Sequence, residues 1–165
     1  MSGSGITITV EGVEALKKKL GGVTEPIGGI VREAGIFARE KTATYAKPHA
    51  ADKGTLGQGI TLKLGAGAVP LDATIAPNSR IMGIAVTVEQ GRPPGKRPNV
   101  DAIERWAWAH GYLPRASRGW KLAQQIAKTG TKGVKMFEHA AKDTEAKVKE
   151  LVSHAVSTIE KRWRS

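Results

Sequence analysis

Cysteine is absent from the chain. Disulfides, thiol nucleophiles and thiolate metal sites are therefore excluded, and a reducing cytoplasm fits. Long apolar runs are also missing: no stretch approaches the roughly 18 residues that a membrane span needs. The opening MSGSGITITVEG has no basic start and no apolar run, so it does not read as a secretory signal. No membrane partner is expected. Histidine is scarce, and its 4 copies are badly spaced for chemistry. His49 lies in a polar loop near Asp52, and His110 ends a helix beside a glycine. His139 and His154 stand too far apart on one helix to share a metal. No His-x-x-x-His or Glu-x-x-His pattern occurs, so zinc and di-iron sites have no support. Gly-x-Ser-x-Gly and Walker A loops are missing too, and Gly65-Ala66-Gly67 reads as a turn with no βαβ unit after it. No catalytic, metal-ligating or cofactor-binding residue is assigned, no cofactor is expected, and the chain does not read as an enzyme.

What is present is positive charge. The 165 residues carry a net charge of +11. A chain of this length reads as a single domain, 1–165, and buries roughly 70% of its unfolded surface without staples. Between Gly91 and Lys135 there are 10 Lys or Arg against 2 acids, so this segment supplies +8 of the total. Such a segment is either a solvated face or a surface for an acidic partner, meaning nucleic acid or an acidic protein.

The densest signal is Ala85 to Gly111. The alternation in Ile84-Ala85-Val86-Thr87-Val88 predicts the end of a strand, within a run from Ile81 to Val88. Gly91, Pro93, Pro94, Gly95 and Pro98 predict a turn. Asn99 is a good N-cap for a helix in which Val100, Ile103, Trp106 and Ala107 recur at helical spacing, and Gly111 is a natural stop. Trp106 shares a face with Ile103 and is expected in the core. Trp108 then points the other way and is an interface candidate.

The other elements follow the same signals. Ile6 to Val10 alternates as an edge strand does, Glu11-Gly12 turns, and Val13 to Leu20 predicts a short helix stopped by Gly21-Gly22. Thr24 starts a long helix to Tyr45 with Pro26 in its first turn. Gly28, Gly29 and Gly35 inside it each cost on the order of 1 kcal/mol relative to alanine, which close packing would offset. Ala46 to Gly59 is a polar loop. Ile60–Leu64, Ala73–Ala76 and Ile81–Val88 predict a three-strand meander, with Pro77-Asn78-Ser79 as its second turn and the N-terminal strand at an edge. After the turn at Tyr112-Leu113-Pro114, a helix is predicted from Ser117 to Lys128 with Trp120, Ala123 and Ile126-Ala127 on its apolar side. Gly130 and Gly133 separate it from the longest element, Val134 to Trp163. Phe137, Ala141, Thr144, Val148, Leu151, Ala155 and Ile159 form a narrow stripe there, which suits packing across the sheet, the leading expectation, or pairing with another helix or sealing a subunit boundary. The fold class is therefore α+β: a small, mainly antiparallel sheet packed against a long N-terminal and a long C-terminal helix. Ile30, Phe37, Val86, Ile103, Trp106, Phe137, Val148 and Leu151 are the core candidates.

Several stretches in order carry a resemblance: ITVEGVEALKKKL from Ile8, REAGIFAREKTATYAKP from Arg32, GTLGQGI from Gly54, VTVEQGRPPGKRP from Val86 and QQIAKTGTKGVKMFEHAAKD from Gln124. Their sequence along the chain resembles the tail-completion and neck proteins of long-tailed bacteriophages, the gene-product-ten-like family related to the lambdoid minor tail protein Z. The chain departs from that pattern at Asp52-Lys53-Gly54, where an aspartate-threonine pair is usual, and at Thr87-Val88, where an aromatic is frequent.

The resemblance implies a structural virion protein without catalysis, assembled in the bacterial host cytoplasm. It would be a homo-oligomeric ring subunit, sixfold, between the head connector or adaptor and the tail tube or terminator, with DNA passing through the lumen. Two assembly loops are expected, at 46–59 and 89–98, mobile in the free subunit and ordering against neighbours on assembly. The candidate residues are Lys47, Asp52, Lys53 and Leu56 in the first, Glu89, Arg92, Lys96 and Arg97 in the second, and Trp108 and Trp120 beside them. The alternative is a basic DNA-binding protein that uses Gly91–Pro98, since basic residues among proline and glycine suit a minor groove.

Overall fold

The computed structural model describes residues 5–9, 24–49, 55–67, 69–109, 111 and 118–164. The expected Val13–Leu20 helix with its flanking turns, Asp52, Lys53, His110 and the Tyr112–Pro114 turn lie outside these residues. The fold is α+β, as the sequence predicts. In chain order the elements are β1 (Ile6–Thr9), α1 (Thr24–Ala46), a 3-10 turn (Lys47–His49), α2 (Thr55–Gln58), β2 (Ile60–Leu64) and β3 (Asp72–Pro77). There follow α3 (Met82–Gln90), β4 (Gly91–Arg92), α4 (Val100–Ala109), α5 (Arg118–Thr129), β5 (Thr131–Lys132) and α6 (Met136–Arg164).

The main sheet has the order β1-β3-β2 and is antiparallel throughout. The N-terminal strand is at an edge, as expected. Ile75 faces Ile6 on one side and Leu62 on the other. Ala73, Ile75 and Pro77 turn inward at period two along β3.

The predicted third strand of the meander is instead a helix. Ile81–Val88 lies at the start of α3 and through it. The decisive residue is Asn78. Its Oδ1 accepts hydrogen bonds from the backbone N–H groups of Arg80 and Ile81 at 3.1 and 3.2 Å, which folds the chain into a turn just after β3. The Ala85 N–H then donates to the Ile81 carbonyl at 2.8 Å and the helix continues. Ile81, Ala85 and Val88 were readable at helical spacing all along. They point inward, whereas Ile84 is 51% exposed. Tertiary packing overrides the β-propensity of a short apolar run.

α1 lies on the inner face of the sheet because its glycines let it approach. A Cβ on Gly35 would stand 2.9 Å from Leu62 Cδ1 and 3.1 Å from Ala73 Cβ, and one on Gly28 would stand 2.5 Å from Val69 Cγ1. The expected compensation for helix glycines holds at these two positions. Gly29 meets nothing within 4 Å.

α6 does not lie across the sheet as predicted; it runs antiparallel along α1. Tyr45 and Lys41 reach Asp143 at 3.0 and 3.3 Å, and Glu33 pairs with Lys147 at 3.6 Å. Only its first turns join the strands, where Met136, Phe137 and Ala140 share one apolar cluster with Ile6, Ile60 and Ile75. Its inward line is Phe137, Ala140 and Thr144; Ala141, expected on the stripe, is exposed. Of the core candidates, Phe137 is buried, and Ile30, Phe37, Val86, Ile103, Trp106, Val148 and Leu151 are half-buried. The core cluster is built instead on Ile60, Ile75 and Met136, with the small side chains of Ala38, Ala46 and Ala85 packed among them.

Two glycine substitutions test this packing. Gly35→Val should lower stability by about 1–3 kcal/mol through overpacking against Leu62 and Ala73. Gly29→Ala should raise it by up to about 1 kcal/mol through helix propensity. Urea unfolding midpoints measure both, and equal effects at the two sites would show that α1 does not need its close approach.

Candidate functional site: a pinned basic loop and an aromatic helix pair

α3 ends in a tight junction with the start of α6. The carbonyls of Val88 and Glu89 accept from the N–H groups of Val134 and Lys135 at 2.8 and 3.2 Å. The Glu89 carboxylate accepts from the Phe137 N–H at 3.0 Å, satisfying one of the free donors at the start of α6. Glu89, expected at an assembly surface, is therefore half-buried and holds the two helices together.

Beyond it, β4 and β5 pair over two residues, Gly91 with Lys132 and Arg92 with Thr131. Gly91 and Gly130 adopt φ of +81° and +71°, and a Cβ on either would collide with the opposite backbone. The Arg92 N–H donates to Thr131 Oγ1 at 3.1 Å, and its guanidinium donates to the Lys96 carbonyl. The Gly95 N–H donates to the Ala127 carbonyl at 2.8 Å. The basic loop is thus tied at its start and at Gly95, while Lys96 and Arg97 stay exposed.

Asn99 caps α4 as predicted, its Oδ1 accepting from Asp101 N–H at 2.8 Å. α4 packs on α5, with Gly119 pressed against Glu104. Between this pair and the α3–β5 region runs an apolar groove of about 400 Å³ lined by Val88, Ile103, Trp106, Leu122, Ile126 and Val134. Trp106 is half-buried there, and Trp108 on the same helix is 69% exposed. Trp120, expected on the apolar side of its helix, is instead 44% exposed, with the Arg97 guanidinium 6.0 Å from its ring centre.

The structure therefore brings Arg92, Lys96, Arg97 and Trp120 into one neighbourhood. Lys47 is exposed in the 3-10 turn at the end of α1. Leu56, also expected at an assembly surface, is only 2% exposed and packs in the core cluster with Ile60 and Ile81. The sequence reading missed Ala127 and Thr131, the partners that fix the loop; the bracketing Gly130 and Gly133 were the available signal. Among the described residues no group of three or more His, Asp or Glu is arranged to hold a metal ion, and no helix is long and apolar enough to cross a membrane.

No protein-family model matches the chain, and no curated protein or solved structure matches it. The functional reading rests on the residues themselves.

Two measurements test the junction. Glu89→Ala should cost about 1 kcal/mol through the lost cap, and Glu89→Gln should keep most of it because the amide oxygen still accepts. An unchanged unfolding midpoint in Glu89→Ala would remove the cap from the account. Glu138, one residue on from Phe137, lies 2.9 Å from Lys135 and 2.9 Å from Lys142. Their hydrogen bonds, that of Lys135 foremost, hold its carboxyl down at about 2. A depressed carboxyl stabilises the fold above its ordinary value, and that contribution is lost as pH falls toward the folded value. The melting-temperature gap between the wild type and Glu138→Gln should close between about pH 4.5 and pH 2. The gap should be small and shrink in high salt, since the pair is exposed. A gap constant across that window would show no contribution from this ion pair.

Proposed function

We propose that the chain is a structural subunit of the bacteriophage head–tail junction. It assembles into a closed ring, sixfold by the family resemblance, that joins the head connector to the tail or caps the tube. The observation that carries this reading is the loop Gly91–Pro98. It projects Lys96 and Arg97 into solvent, yet it is fixed by β4–β5 pairing and by the Gly95–Ala127 hydrogen bond. An exposed charged loop held in one shape enters a contact with little ordering cost. Support also comes from the order of motifs along the chain, which resembles that of tail-completion and neck proteins. The role is assembly in the virion, with closed cyclic symmetry as the usual form.

The second reading is a duplex-DNA-binding protein that uses the same loop, favoured by the +8 charge of residues 91–135. Salt separates the two. Affinity built on phosphate contacts falls steeply between about 50 and 200 mM salt, whereas ring contacts with an apolar centre persist.

The test is particle mass by light scattering at both salt concentrations, with and without duplex DNA, for wild type and for the double variant Lys96→Glu/Arg97→Glu. Both residues are exposed, so the variant should keep its unfolding free energy within about 0.5 kcal/mol. The expected result is a discrete ring for the wild type, indifferent to DNA in moderate salt, and loss of the ring or of its incorporation into particles for the variant. Salt-sensitive DNA binding with no ring would transfer the loop to the second reading.

A further inference from the structure

The two exposed tryptophans share one side of the α4–α5 pair. Trp106 and Leu122 both line the apolar groove, on the side that faces α3 and β5. Two residues turn an α-helix by about 200°. Trp108 therefore leaves α4 opposite Trp106, and Trp120 leaves α5 opposite Leu122. Both project from the outer side of the pair, away from the groove. Arg105 and Lys121 are exposed; Arg105, three residues before Trp108, lies on the same side of α4, and Lys121 stands about 100° round α5 from Trp120, at the edge of this side. Arg97 stands over the Trp120 ring, and Lys96, the residue before it in the loop, is exposed. Asp101 and Glu104, seven and four residues before Trp108, lie on this side as well and are outnumbered by these four cations.

We propose that this outer face binds single-stranded nucleic acid, stacking bases on Trp108 and Trp120 while Lys96, Arg97, Arg105 and Lys121 take phosphates. The chemistry selects the ligand. Exposed indole faces among cations match a chain that carries both planar rings and negative charge. An acidic peptide brings the charge without the rings. A duplex keeps its base faces stacked on one another, so it meets the cations and leaves the tryptophans unused. The same face on a second copy carries the same cations, so this face does not pair with itself. Sequence preference is weak, because every base has a π-face. The inference does not depend on ring formation: it concerns the outer face of one subunit.

The test uses the full chain, a fluorescein-labelled oligo-dT 20-mer, a duplex of the same length and poly-glutamate, at 50 mM salt. Anisotropy gives the affinity and intrinsic tryptophan emission reports stacking. Oligo-dT should bind and quench the emission, and Trp108→Ala and Trp120→Ala should each weaken binding about tenfold. Arg105→Glu/Lys121→Glu should weaken it too and lower its salt dependence. Far-UV circular dichroism and light scattering establish that each variant keeps the wild-type fold and mass. Absence of oligo-dT binding overturns the proposal. So does a duplex bound as tightly as oligo-dT with no effect of the tryptophan variants, or poly-glutamate that competes equally and quenches the emission. A ring that forms normally alongside any of these results leaves the ring reading standing, and stacking by a protein that forms no ring leaves this one standing.

Discussion

The structure depends on how closely α1 approaches its neighbours. One side of that helix meets the sheet through Gly35 against Leu62 and Ala73, and its length is paired with α6. The buried positions are mostly small: Ala34, Ala38 and Ala46 on α1 and Ala140 on α6. Small side chains bring little apolar area each, so the gain must come from many short-range contacts between backbones brought near. Two buried threonines fit the same scheme. Thr42 and Thr144 turn their hydroxyls back to the carbonyls four residues earlier, at 2.7 and 2.6 Å, so neither interrupts the packing with an unpaired polar atom. At the rim of this interface, Tyr45 and Lys41 converge on Asp143 and lower its pKa, the tyrosine hydrogen bond being the larger cause.

The same α6 whose long body packs on α1 uses its first turns for a second task. Backbone bonds from Val134 and Lys135 and the carboxylate of Glu89 fix its start to the end of α3. The short strand pair β4–β5 leaves directly from this junction. The basic loop is thus anchored to the core through a few backbone contacts that only glycine permits at positions 91, 130 and 133. Rigidity at the base and exposure at the tip come from the same arrangement. This is why the loop suits recognition by shape and charge.

Charge and apolar surface are divided between the two sides of the α4–α5 pair. The inner side carries Trp106, Ile103, Leu122 and Ile126 around a groove. The outer side carries Trp108, Trp120 and exposed cations. A pair of short helices cannot bury both sides against one small body, so one side remains for solvent or for a partner. The placement of the tryptophans two residues from the groove residues makes this division a direct consequence of helical periodicity.

By itself the sequence determined the elements whose signals are local. Asn99 as a cap, Gly111 and Gly130 as stops, the alternating edge strand at Ile6 and the long helices from Thr24 and after Gly133 could all be read from residue chemistry over a few positions. The split between Trp106 and Trp108 was legible for the same reason, and so was the α+β class. Tertiary structure decided what depends on distant neighbours. Ile81–Val88 satisfies a strand pattern and a helix pattern equally, and the turn at Asn78 together with burial of Ile81 and Ala85 selected the helix. Leu56 lies in a stretch as polar as any surface loop, and only the cluster around Ile60 and Ile81 draws it inside. The stripe on α6 gave no sign of whether a sheet or a helix would cover it. That choice fell to α1, whose opposite flank was already taken by the strands. Local free energies of capping and turn formation act within a few residues and are written in the order of the chain. Burial acts between residues far apart in it, and is fixed only when the whole set of surfaces has found its partners.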